Sequence, residues 1–170
     1  MPTYFLNALW LVLPIMLWNW ALAGKLPQAF QAEAFEKDIP RFVTLGENFF
    51  RLVIFILPAG MPLNIATQAQ KFGLALYCAG TGLYFLGWTA QIIFPHSAWS
   101  KSIFGFLAPA YTPLIWLTGI GMIGASLFFP SPFRSWMYVL AAAIFTGFHV
   151  THTLIVYRKF TKNGSKGSLS

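Results

Sequence analysis

The sequence predicts an all-α membrane protein, a single bundle of five transmembrane helices followed by a polar tail. Three observations predict this class. Of the 170 residues, 57% are hydrophobic and only 9% are charged. Apolar runs of roughly twenty residues, the length needed to cross a bilayer, recur along the chain. Charged residues, prolines and glycines separate these runs, so we expect one helical domain over residues 1–160 and a cytoplasmic polar tail over 161–170.

Five apolar runs are the candidate spans, at about 3–23, 42–63, 72–94, 103–129 and 136–157. The first has no basic residues before its apolar core, which argues against a removable signal peptide. Pro58 and Pro62 interrupt the second run, and Pro109 and Pro113 interrupt the fourth. Because proline removes a backbone donor, we expect kinks there, and the fourth span has the pattern of two shorter helices.

Basic residues divide unequally between the two sides of a five-span bundle. Only Lys71 and Arg134 fall on one side. The other side receives eight: Lys25, Lys37, Arg41, Lys101, Arg158, Lys159, Lys162 and Lys166. Since basic flanks are retained in the cytoplasm, the N-terminus is predicted outside and the C-terminus inside. The net charge of +7 therefore reflects membrane orientation, and no nucleic acid partner is predicted.

The connector between the first two spans, residues 24–40, has a mixed composition. It contains two phenylalanines and an isoleucine, and it holds three of the four acids of the chain: Glu33, Glu36 and Asp38. It is either a short helix lying at the cytoplasmic surface of the membrane or a solvated connector with a narrow apolar face.

Two pairs of ionisable residues lie inside the second and fifth spans. Glu47 and Arg51, in GENFFRLVIF, are four residues apart and share one helical face. His149 and His152, in HVTHT, share a face at a spacing of three. Counted from the cytoplasmic edge, Glu47 and His152 lie about 9 Å deep, and Arg51 and His149 about 14 to 15 Å deep. An unpaired charge in hydrocarbon is costly, so we expect the four side chains to meet inside the bundle.

Other polar and aromatic side chains fall in the same cytoplasmic half of the membrane, whereas the outer half is mainly apolar. We expect these side chains to line a ligand pocket. The aromatic rings among them would make the pocket suitable for an apolar molecule. They are Asn48, Tyr84, Trp88, Gln91, Tyr111, Thr112, Trp116 and Thr153.

The chemistry predicted for this pocket is proton transfer on a lipophilic small molecule in the membrane. Glu47 and His152 would be the proton donor and acceptor, and His149 a second acid/base or an orienting group. Arg51 would bind an oxygen or anionic head. A cofactor-independent isomerase or cyclase fits a site of this kind. The general plan resembles the emopamil-binding sterol isomerases, but no motif matches residue by residue, and no role is transferred.

Two alternatives from other classes stay open. In the first, the chain is a non-catalytic membrane subunit or scaffold, and the buried Glu47–Arg51 pair with its histidines only fixes helix packing. In the second, it is a small transporter or channel. The apolar outer half argues against a continuous water path. One five-span chain is also small for alternating access, so a transporter would need a homo-oligomer.

No metal or cofactor is predicted. His149, His152 and a nearby Glu47 are ligand types for zinc or non-haem iron, but HExxH is missing and Arg51 would repel a cation. A haem between His149 and another histidine is disfavoured, because His96 is expected at the membrane rim.

Two further features of the sequence, a GxGxxG motif and a lone cysteine, do not indicate a functional site. The GxGxxG at 119–124 lies inside an apolar span rather than after a strand, and small residues there favour close helix contact. Gly80, Gly82 and Gly87 suggest the same. The lone Cys78 excludes a disulfide or a CxxC pair within this chain.

Overall fold

The computed structural model describes residues 3–167, and that part of the chain is all-α, with one isolated bridge between Asn7 and Pro62 and no strand. Four short 3-10 turns occur, at Thr3–Phe5, Ala23–Lys25, Gln28–Phe30 and Leu57–Gly60. The helices are α1 (Leu9–Leu22), α2 (Ala32–Phe35), α3 (Arg41–Ile56), α4 (Gln68–Ile93), α5 (Ala98–Lys101), α6 (Ile103–Tyr111), α7 (Pro113–Ile123) and α8 (Ser135–Gly167).

Three helical segments in the described part are long and apolar enough to cross a membrane: Arg41–Gly60, Ile103–Ile123 and Ser135–Lys162. The apolar helix Leu9–Lys25 is shorter than a usual span. At 26 residues α4 is long enough, but its glycine, tyrosine and threonine residues lower its hydropathy and it is not among the three. Length and composition thus indicate a membrane protein, while the number of spans and their orientation stay predictions.

The prolines of the second and fourth runs act differently from one another. After α3 ends at Ile56, the chain continues as the 3-10 turn Leu57–Gly60, which contains Pro58 near its start. Pro113 is the first residue of α7, so the fourth run is two helices that meet at Thr112. Pro109 lies inside α6 without ending it. A proline that starts a helix needs no backbone donor, which explains the break at Pro113.

The two ends of the chain also differ from the predicted boundaries. The first long helix begins at Leu9 rather than at residue 3. At its start, the Asn7 side chain accepts a hydrogen bond from the Leu9 amide. The last helix begins at Ser135 and continues to Gly167, through most of the segment predicted as a polar tail. Residues 168–170 of that segment lie outside the described part.

The connector between α1 and α3 folds back onto the bundle. The ring of Phe30 is buried and stacks on Phe106 of α6, with ring centroids 4.5 Å apart. Phe35, the last residue of α2, stacks on His152 of α8 at 4.2 Å. Lys159 of α8 donates to the carbonyl oxygens at positions 37 and 38. The connector therefore contains a short helix, and its phenylalanines pack on the protein.

Glycines allow α4 and α7 to approach closely. A β-carbon at Gly80 would lie 2.5 Å from the amide nitrogen of Trp116, and one at Gly119 would lie 2.5 Å from the carbonyl oxygen of Gly73. This confirms close helix contact for the GxGxxG segment. Gly82 differs, because a β-carbon there would meet nothing within 4 Å. The sequence prediction for Gly82 was therefore wrong.

We predict that Gly80→Ala destabilises the protein, whereas Gly82→Ala, two residues along the same helix, does not. The added methyl group at position 80 must push α4 and α7 apart, an overpacking cost of about 1–3 kcal/mol. At position 82 it fills open space and improves helix propensity. Thermal unfolding in detergent, followed by circular dichroism, measures both. Equal stabilities for the two variants would contradict this packing.

Candidate functional site

The buried carboxylate of Glu47 is the centre of the site. Glu47 is 1% exposed, and its Oε1 accepts hydrogen bonds from the guanidinium of Arg51 and from Nδ1 of His149, the latter at 2.9 Å. Its Oε2 lies 2.5 Å from Nδ1 of His152. We refer to these four residues, from α3 and α8, as the Glu47 cluster. The structure brings together all four residues that the sequence predicted as catalytic.

His152 shares a proton with Glu47. Its Nε2 lies 2.9 Å from the carbonyl oxygen of Phe35. A carbonyl oxygen can only accept, so Nε2 must carry a proton. The 2.5 Å contact between Nδ1 and Oε2 needs a second proton, held by either the imidazole or the carboxyl group. The two residues together are therefore neutral, as an imidazolium–carboxylate pair or as an imidazole with a carboxylic acid.

His149 is oriented by the other carboxylate oxygen. Oε1 of Glu47 is the acceptor of the hydrogen bond from Arg51, and as an acceptor it receives the second hydrogen bond from His149, whose Nδ1 therefore carries a proton. The Nε2 atom has no hydrogen-bond partner among residues 3–167. The ring stacks on Phe145, with centroids 5.4 Å apart. Nε2 is therefore the nitrogen of His149 that is left for a ligand, and in the neutral imidazole this nitrogen is a base or an acceptor.

A cavity of about 330 Å³ adjoins His149 and lies between α1, α3, α4, the α6–α7 pair and α8. Most of its lining is aromatic or aliphatic. The residues that line it are Ile15, Trp18, Asn19, Leu22, Leu26, Arg51, Phe55, Tyr84, Trp88, Pro109, Pro113, Trp116, Phe145 and His149. We call it the central cavity. Its volume falls near the lower end of the range for small-molecule sites.

A smaller cavity of about 160 Å³ lies on the other side of His149. It shares Leu26, Trp88, Pro109 and His149 with the central cavity, and it adds Phe30 and Phe35 from the connector. The imidazole of His149 therefore borders two adjacent spaces. His152 lines neither, because its ring is covered by Phe35.

Half of the predicted ligand-binding residues lie at these cavities. Tyr84, Trp88 and Trp116 line the central cavity, and Thr153 lines the smaller one. The hydroxyl group of Tyr84 donates to the side chain of Asn19 at 2.6 Å. The sequence therefore predicted much of the aromatic wall.

The other four predicted ligand-binding residues line neither cavity. Asn48 is exposed, and its side-chain oxygen accepts a hydrogen bond from Arg51. Gln91 is buried but donates to backbone carbonyls of the α5–α6 region, beside a separate cavity. Tyr111 and Thr112 donate to carbonyl oxygens of their own helix. These residues were chosen for their expected depth in the membrane, but their side chains point away from the two cavities.

Several residues of the site were missed. Asn19 in LWNWAL is a polar residue inside the first apolar run, and that was a usable signal. Phe145 is one helical turn before His149, a spacing that places both on one face. Phe35 gave no signal, because nothing in the sequence of the connector indicates that it folds back onto α8.

Both carboxylate oxygens of Glu47 and the Nδ1 atoms of His149 and His152 are occupied by contacts within the cluster. In residues 3–167 no group of three His, Cys, Asp or Glu side chains is placed to hold a metal ion.

Comparison of the chain with protein-family models, with curated proteins and with solved structures returned no match. The arguments for function therefore rest on the geometry of the Glu47 cluster and its cavities.

We predict that His152→Ala lowers stability markedly and that Thr151→Ala, at the neighbouring exposed position, does not. Loss of His152 removes the bonds to Glu47 and Phe35 and leaves a buried carboxylate with fewer partners, at a cost of about 3 kcal/mol. For a chain of this size the melting temperature should fall by roughly 6 to 12 °C. Thermal unfolding in detergent measures it. A fall no larger than that of Thr151→Ala would exclude a packing role for His152.

Proposed function

We propose that the protein is a multi-pass integral membrane protein whose central cavity binds a lipophilic small molecule. A side chain at this cavity moves a proton from one carbon of that molecule to another. The five apolar runs would be five spans, with the N-terminus outside and the Glu47 cluster in the cytoplasmic half. The three long apolar helices support the membrane assignment, and the excess of basic residues on one side supports the orientation.

The outward surface of α3 supports lipid contact. Its inner face buries Glu47. Its large apolar side chains recur at spacings of three and four residues and are each more than half exposed: Phe42, Leu45, Phe49, Leu52 and Ile56. A continuous apolar stripe of this kind is unfavourable in water and favourable in hydrocarbon. A second copy of the chain would also cover it, so a homo-oligomer remains compatible with this surface.

The observation that carries the proposed chemistry is the pairing of Glu47 with His149 beside an aromatic cavity. Glu47 orients the imidazole and stabilises the positive charge that the ring acquires when it takes a proton. The Nε2 atom of His149 would accept a proton from a ligand carbon and return it to another carbon of the same ligand. Proton removal and return balance without a cofactor, as in an isomerisation or a cyclisation.

The geometry also reassigns two of the roles expected from sequence. His152 is buried between Glu47 and Phe35 and lines neither adjacent cavity. We propose that it positions Glu47 rather than reacts with the ligand. Glu47 is itself enclosed by three partners and acts through His149. The reacting group is therefore His149.

A non-catalytic membrane subunit is the second candidate, and one observation favours it. All hydrogen bonds of Glu47 go to other residues of the cluster, and His152 connects that cluster to the connector, as a purely packing role requires. The two candidates differ in what a substitution at His149 does. A packing role predicts lost stability, and a catalytic role predicts lost proton transfer.

We predict that the protein catalyses deuterium incorporation from D₂O into carbon positions of a lipophilic molecule and that His149→Asn abolishes it. Asparagine places its amide near the position of Nδ1 and keeps a donor to Glu47, but it removes Nε2. The assay uses protein in nanodiscs, an organic-solvent extract of host membranes, and mass spectrometry. Loss of a general base lowers such rates about 10²- to 10⁴-fold.

His96→Asn is the matched control, since this exposed histidine lies on the loop after α4 and away from the central cavity. It should leave the exchange unchanged. Exchange that is equal in the wild type, His149→Asn and empty nanodiscs would contradict the acid/base proposal and favour the packing role.

A further inference from the structure

The charges beside the central cavity do not cancel. Glu47 and His152 together are neutral. Their contacts require two protons, which give either a carboxylate with an imidazolium or a carboxylic acid with a neutral imidazole. Nδ1 of His149 donates to Oε1 of Glu47, so the imidazole of His149 is neutral or positive and adds no negative charge. The guanidinium of Arg51 is always protonated. The Glu47 cluster as a whole therefore carries at least one positive charge.

No carboxylate among the described residues that line the central cavity offsets this charge. Arg51 is a lining residue, and its side chain is 44% exposed. Its hydrogen bonds go to Glu47 and to Asn48, which leaves three of its five N–H donors without a protein acceptor in the described part. Arg51 can therefore hold one more oxygen-bearing group, with bidentate geometry.

Other polar groups at the cavity are also donors in need of acceptors. Trp18, Trp88 and Trp116 line it, and the indole N–H of each is buried without a hydrogen-bond partner. Trp116 is 2% exposed. A buried donor without an acceptor is unfavourable, so a ligand with acceptor oxygens would relieve several at once.

We infer that the natural ligand of the central cavity is a lipophilic molecule with a single anionic oxygen head, bound by Arg51, and with its apolar body among the aromatic side chains. This inference rests on the proposed function and defines its substrate class. The head is a carboxylate of a free lipophilic acid or the anionic headgroup of a membrane lipid. Both present the same oxygen chemistry to the guanidinium.

The same arrangement specifies where the ligand reacts. Arg51 and His149 both bind Oε1 of Glu47, so the two side chains meet at one oxygen atom, and both line the central cavity. A head held by Arg51 brings the carbons next to it close to Nε2 of His149. The proton that moves therefore belongs to a carbon near the anionic head rather than to the far end of the ligand.

The test uses radiolabelled decanoate, decanol and decylamine, which share one apolar chain and differ in the charge of the head. Each is titrated against wild-type protein in phosphatidylcholine nanodiscs at pH 8, with a scintillation proximity readout and subtraction of empty discs. We expect decanoate to bind at least about tenfold more tightly than decanol, which corresponds to 1.4 kcal/mol, and decylamine most weakly. Equal binding of decanoate and decanol, or no binding of decanoate, would overturn the inference.

Variants assign the preference to one side chain. Arg51→Gln should remove the difference between decanoate and decanol, and Arg51→Lys should retain part of it because the charge is kept. Arg41→Gln, at the exposed start of the same helix, is the control and should behave as the wild type. A preference for decanoate that survives in Arg51→Gln would contradict the assignment to Arg51.

Two further experiments complete the test. The first distinguishes a free acid from a lipid headgroup, and the second distinguishes the anion inference from the proposed acid/base chemistry. Phosphatidylglycerol in the nanodisc that displaces decanoate in wild type but not in Arg51→Gln identifies a lipid headgroup, and its failure to displace identifies a free acid. His149→Asn should still bind decanoate while losing deuterium exchange. If decanoate is not preferred over decanol but deuterium exchange depends on His149, only the inference of an anionic head is contradicted. If decanoate is preferred but no deuterium exchange occurs, only the proposed acid/base chemistry is contradicted.

Discussion

A carboxylate enclosed by apolar helices must be paired, and in this protein Glu47 is paired by three side chains from two helices. Arg51 comes from its own helix α3, while His149 and His152 come from α8. Together with the buried hydrogen bond from the Tyr138 hydroxyl group to the Ile54 carbonyl oxygen, these bonds fix the register between α3 and α8. The second nitrogen of His152 extends the constraint to the connector through Phe35. One buried acid thereby determines how three parts of the chain meet.

The same pairing divides the two histidines into different roles. His152 has both nitrogens bonded within the protein, which suits a structural contact. His149 has one nitrogen bonded to Glu47 and the other without a partner in the described residues, at the boundary of two cavities. A carboxylate that holds an imidazole by one nitrogen is the arrangement that prepares the other nitrogen to act as a base. We propose that packing and proton transfer both depend on this one set of bonds.

Sequence reasoning succeeded where helical periodicity decides the outcome. Glu47 with Arg51, and His149 with His152, were placed on common faces by their spacing, and the cost of unpaired charge in hydrocarbon predicted that the faces meet. It failed where depth alone was used. Gln91, Tyr111 and Thr112 were chosen for their level in the membrane, but level does not say which way a side chain points around its helix.

Two further features could not be predicted from single runs of sequence. The folding of the connector onto α8 depends on tertiary contacts of its phenylalanines with Phe106 and His152. The end of α8 was placed at about residue 157 because the following residues are polar, but a helix continues through polar sequence when its backbone hydrogen bonds are kept, and it reaches Gly167.

The most direct measurement is nitrogen-15 NMR of protein labelled at its histidines and reconstituted in lipid. If His149 is the general base, it is neutral, with its proton on Nδ1 and an unprotonated Nε2, and His152 has a protonated Nε2. Glu47→Gln should change the signals of both residues and leave His96 unchanged. A His149 protonated on Nε2 with a bare Nδ1, or histidine signals that do not respond to Glu47→Gln, would contradict the central role of this carboxylate.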